Sequence, residues 1–129
     1  MKESPQFPLG VVVISVIMFF VALATDIFWL SRLLGGGFSQ TMPVSSKVYN
    51  AFGAPDLVLS VFLYVGAVGL IQLRKYGFIA SLVAMGMWMF DSLLVWGITG
   101  ISRLNIILPC LVFAGFTVSY LWVKRELFF

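Results

Sequence analysis

The chain has 129 residues, 61% of them hydrophobic and 10% charged, with eight Lys and Arg against five Asp and Glu and a net charge of +3. So few charges cannot coat a soluble domain, and apolar runs of about 20 residues match a hydrocarbon slab ~30 Å thick, so an integral membrane protein is expected. One cysteine and no histidine exclude intrachain disulfides, Cys/His zinc sites, His-ligated haem and Ser-His or Cys-His catalytic pairs, so no cofactor or metal is expected. The Lys and Arg residues sit singly or in pairs at helix ends and form no stripe for nucleic acid.

The runs are continuously apolar rather than alternating, which favours helices over barrel strands. The first predicted helix covers residues 9–34. Its Ala22 to Ala24 stretch has the small-residue pattern of a signal-peptide cleavage site. The leader, however, carries Glu3, Pro5 and Pro8 in place of a basic region, and the apolar run continues to Leu34, so a retained first helix is expected.

A longer link, residues 35–54, opens with Gly35-Gly36-Gly37, a flexible helix exit. From Pro43 onward Val44, Val48, Ala51 and Phe52 recur at helical spacing, with Gly53 suited to an end. The second helix is predicted over 47–73, and Pro55-Asp56 falls near its start. In one reading Pro55 takes the first turn, where its missing N–H is harmless, and Asp56 faces the positive end of the helix dipole. In the other, favoured by the depth of the acids, the helix starts near Lys47 and Pro55 kinks it, depriving the Ala51 carbonyl of its donor.

The third and fourth helices are predicted over 77–99 and 103–123, joined by TGISR, which completes an all-α integral membrane four-helix bundle in one domain. Lys2, Arg74, Lys75, Lys124 and Arg125 lie at one end and Arg32, Lys47 and Arg103 at the other, so both termini are expected in the cytoplasm. Ala80/Ala84, Gly115/Ser119 and Gly66/Gly69 are small-residue pairs suited to close helix approach, within one chain or between copies in a homo-oligomer.

The chemistry lies in the acids. Asp26 and Asp91 each fall eight or nine residues inside the outer helix ends, on the order of 13 Å at 1.5 Å per residue, and Asp56 is at nearly the same depth counted from Lys47. A carboxylate in hydrocarbon costs at least about 2.5 kcal/mol, so three at one level point to a shared polar cavity. Asp56, Ser60 and Tyr64 form an i, i+4, i+8 stripe; Asp26 is one turn from Trp29, Asp91 shares a side with Trp88, and Asn105 can join from the fourth helix. Carboxylates beside indoles suit a hydrophobic amine or cation, or protons, to be bound or helped across the membrane.

Two other readings compete. The acids can be inter-helix glue, with Arg32 or Arg103 reaching down to pair with them, in an accessory subunit whose partners are membrane lipids and other chains. A protonated Asp and a second carboxylate across a cavity can isomerise an isoprenoid or sterol-like alkene. Cys110 reads as a small buried apolar residue.

Residues 50 to 70, NAFGAPDLVLSVFLYVGAVGL, resemble the second helix of the small bacterial four-helix membrane proteins of the YvaD type, through an aromatic before Pro55-Asp56-Leu57, then Ser60 and Gly69-Leu70. The resemblance implies a helix running through Pro55 in a bacterial or archaeal plasma membrane, and no particular activity. In architecture alone, the compact bundle with intramembrane acids is similar to the sterol-isomerase and sigma-2-receptor superfamily.

Overall fold

The computed structural model describes residues 8–34 and 50–129. Within them the chain forms α1 (Leu9–Leu33), α2 (Gly53–Ile71), α3 (Lys75–Thr99) and α4 (Leu104–Val123), with 3-10 turns at Gly100–Arg103 and Arg125–Phe128. The described residues contain no strand. The Gly35-Gly36-Gly37 exit, the helical spacing from Pro43, the start at Lys47 and the basic Lys2 lie outside the described residues.

Three stretches are long and apolar enough to cross a membrane: Leu9–Arg32, Gly53–Ile71 and Lys75–Val123. The third contains both α3 and α4, and it doubles back at Gly100, which caps α3 at φ +64° and ψ −144°. Only glycine adopts that backbone geometry without strain. The return brings the Phe113 ring of α4 to 5.5 Å from the Trp88 ring of α3.

The second helix differs from its expected range at the start. Residues 50–51 are helical, Phe52 interrupts the assignment while keeping αR torsions (φ −73°, ψ −15°), and α2 proper runs from Gly53. Pro55 is the cause: it has no N–H to give the Ala51 carbonyl, and the regular ladder resumes when Asp56 N–H reaches Phe52 O at 3.0 Å. Counted from Gly53, Pro55 and Asp56 sit in the first turn of α2; the choice between a start here and one at Lys47 falls on residues outside the described ones.

Each helix buries one face. On α1 it is Val11, Ile14, Met18 and Ala22; on α2 it is Leu59, Leu63, Ala67 and Leu70; on α4, Ala114 and Leu121 repeat at helical spacing. In lipid such faces gain little from leaving water, so close van der Waals fit holds them together. The fit is tightest between α2 and α3. A Cβ on Gly66 would stand 2.7 Å from Ser81 Oγ, and one on Gly69 or Gly77 would run into the other helix's backbone. Ala80 and Ala84 are buried as expected, but nothing lies within 4 Å of a Cβ built on Gly115. The predicted close approach at Gly115/Ser119 is not used among the described residues.

The hydroxyls carried by these apolar helices are mostly returned to their own backbone. Ser15, Thr25, Ser81 and Thr99 donate to the carbonyl four residues back, at 2.7 to 2.8 Å, which satisfies them without a partner helix. Packing runs in sequence order, α1 on α2, α2 on α3 and α3 on α4, and α1 and α4 are not a closely packed pair. Those two helices close at one end, where Tyr120 lies over Gly10. Toward the other end they part, and that is where the polar residues gather.

Candidate functional site

The gap is a cavity of about 260 Å³ to which every described α-helix contributes. From α1 come Phe28 and Trp29; from α2, Asp56; from α3, Trp88 and Asp91; from α4, Ile107 and Cys110; Phe52 closes the start of α2. The site lies at the end of the bundle marked by Arg32 and Arg103, where α1 and α3 finish and α2 and α4 begin.

Trp29 is 5% exposed and donates its indole N–H to Asp56 Oδ2 at 2.8 Å. Asp56 and Asp91, from neighbouring helices, face the same cavity. The Oδ2 atom of Asp91 is buried and meets no donor; the only other such side-chain atom among the described residues is Thr117 Oγ1, for which we have no physical account. Trp88 and Cys110 also line the cavity, and the Trp88 ring lies 5.5 Å from that of Phe113.

Magnitudes show what this arrangement lacks. Two like charges 4 Å apart repel by about 4 kcal/mol at an effective dielectric of 20, whereas one hydrogen bond to a charged group returns roughly 1.5–3 kcal/mol. The Trp29 N–H alone does not offset the pair. A positive partner does so, whether a proton held between the carboxyls or a cation lodged against them, and the indole faces of Trp29 and Trp88 favour the cation.

Of the predicted site residues, Asp56, Asp91, Trp29 and Trp88 are brought together on this cavity. Asp26 is not among its walls. The reason is rotational, since Thr25 takes the cavity-facing position and each residue turns the helix by about 100°. Tyr64 is also absent from the walls and makes a T-shaped contact with Phe19 at 5.4 Å between centroids. Ser60 is buried but spends its hydroxyl on the Leu57 carbonyl at 2.8 Å. Asn105 is exposed, one position away from the cavity-lining Ile106 and Ile107.

Residue-by-residue reading of the sequence missed Phe28, Phe52 and Cys110 as cavity walls. Cys110 was legible in principle, because Ile107, Cys110, Ala114, Thr117 and Leu121 alternate steps of three and four, the spacing of an inward helical stripe. It is half-buried, and it faces space in place of packed side chains.

No protein-family model, no curated protein and no solved structure matches the chain.

Proposed function

We propose that the protein is a four-span helical bundle of a bacterial or archaeal plasma membrane that binds, or helps transport, a hydrophobic amine or similar cation at the Asp56–Asp91 pair. A four-span reading divides the Lys75–Val123 stretch at Gly100, so that α3 and α4 each cross. Large apolar side chains such as Phe20, Phe90, Val112 and Phe116 are turned outward, as contact with membrane lipids requires. Arg74, Lys75, Lys124 and Arg125 share one end, and Arg32 and Arg103 the other. The positive-inside rule then puts the termini in the cytoplasm and the cavity toward the outside.

One observation carries the reading: two carboxyl groups, Asp56 and Asp91, line one aromatic cavity, and one buried oxygen of Asp91 has no donor. An ammonium group supplies both the missing charge and the missing N–H, while its apolar body fills the space between the indoles. Protons held by the same pair are the simplest version of this chemistry. An acid–base isomerase needs its two carboxyls on opposite sides of the substrate; Asp26, which would have given a third acid to choose from, is not on the cavity wall.

The test is equilibrium binding of 1-naphthylmethylamine to the purified protein in phosphatidylcholine nanodiscs, read by quenching of Trp29 and Trp88. Asp91→Asn and Asp56→Asn are each expected to weaken binding about 30-fold, the equivalent of ~2 kcal/mol for removing one member of a desolvated charge pair. Asp26→Asn is expected to leave it unchanged. Equal affinity in all three variants, with the fold intact, sinks the proposal.

A further inference from the structure

A second hollow, of about 510 Å³, lies on the outer flank of α2 and α3, lined by Phe52, Pro55, Gly86, Phe90, Asp91 and Leu94 among others. Phe52, Asp91 and Ile98 belong to both hollows, so the partition between them is a single layer of side chains. Among the described residues Asp91 is the one ionisable side chain on the outer groove, and the remaining described walls are apolar or glycine. Phe90 and Leu94 on its rim are 65% and 42% exposed, which in a bilayer means exposed to acyl chains.

Building on the amine-binding reading, we infer that the ligand is a single-chain amphiphilic amine that arrives sideways from the bilayer. Its ammonium group lodges at Asp91 and Asp56, and its hydrocarbon chain lies in the α2–α3 groove. The match is one of charge and polarity. A groove that is apolar along its length and carries one carboxyl at its inner edge complements a molecule with one positive end and a long tail. It does not complement a compact polar cation, which would gain nothing from the groove, or a neutral lipid, which would leave the carboxyl unpaired. Inner cavity and groove are each of the scale of small-molecule sites, roughly 300–1,000 Å³ together or apart.

Local structure accounts for the opening. Pro55 interrupts the ladder at Phe52, so the start of α2 is held by fewer backbone bonds than the rest of it. On the opposite lip Gly86 presents no side chain, and a Cβ built there meets nothing within 4 Å. A larger residue at 86 therefore fills the groove without disturbing the packed α2–α3 seam, which lies on the other side of α3 at Gly77 and Ser81.

That asymmetry supplies the experiment. Displacement of 1-naphthylmethylamine by dodecylamine and by butylamine is measured in phosphatidylcholine nanodiscs for the wild type, Gly86→Ala and Gly86→Leu. Partition into lipid is the same for all three proteins and cancels in the comparison. Gly86→Leu is expected to raise the dodecylamine concentration needed by about tenfold, the cost of excluding part of a buried chain. Gly86→Ala is expected to fall between, and butylamine competition and naphthylmethylamine affinity stay unchanged, which also reports that the variants are folded. Dodecylamine competing equally well against all three proteins, while the naphthyl probe still binds, overturns the groove and leaves the inner site standing. Failure of the probe to bind the wild type overturns both.

Discussion

The indole of Trp29 and the carboxyl of Asp56, 27 residues apart in sequence, meet at 2.8 Å and join the end of α1 to the first turn of α2. Gly53 makes room for the contact: a Cβ there would stand 3.2 Å from the Trp29 ring. The bond therefore positions one of the paired acids as well as linking two helices. A double-mutant cycle of Trp29→Phe and Asp56→Ala, measured by reversible unfolding in mixed micelles, is expected to give a coupling of about 1.5 kcal/mol, the range of a hydrogen bond to a charged group. Additive effects of the two changes would show that the contact is geometric only.

The α2–α3 seam depends on glycines that no other residue can replace. At Gly77 an added Cβ collides with the Gly69 backbone, whereas at Gly115 it meets nothing within 4 Å. Gly77→Ala must push two backbones apart and is expected to cost about 1–3 kcal/mol, as over-packing does. Gly115→Ala is expected to lie within about 0.5 kcal/mol of the wild type or to stabilise slightly, since alanine is the better helix former. Thermal unfolding of both variants in the same detergent checks the contrast, and equal losses would contradict the packing described.

Cys110 offers a readout of occupancy that needs no mutation. It lines the cavity with Trp88 and the acid pair, and it is the only cysteine in the sequence. Alkylation by N-ethylmaleimide, followed by intact-mass spectrometry, is expected to slow by about tenfold when 1-naphthylmethylamine saturates the site, because an occupied pocket excludes the reagent. In Asp91→Asn the protection is expected to require correspondingly more amine. Unchanged alkylation at saturating amine would mean that the probe binds elsewhere.

Much of this architecture was legible along the chain. Continuous apolar runs specify membrane helices because a bilayer leaves the backbone no partner outside its own helix, and the predicted limits 77–99 and 103–123 lie close to Lys75–Thr99 and Leu104–Val123. Gly66 and Gly69 announced a close contact, which depends on local sterics.

Azimuth was another matter. Rise along a helix follows from residue number alone, but the direction a side chain faces depends on how each helix is rotated against its neighbours, and a shift of one position swings it by about 100°. That rotation, set by the glycine seam and the core faces, brings Asp91 and Asp56 onto one cavity and leaves Asp26 off its walls. It also spreads α1 from α4, so that Cys110 and Phe28 border a cavity in place of a packed core. Which acids meet, and what space they share, came from helix packing, because fit between distant surfaces is written in no single stretch of the chain.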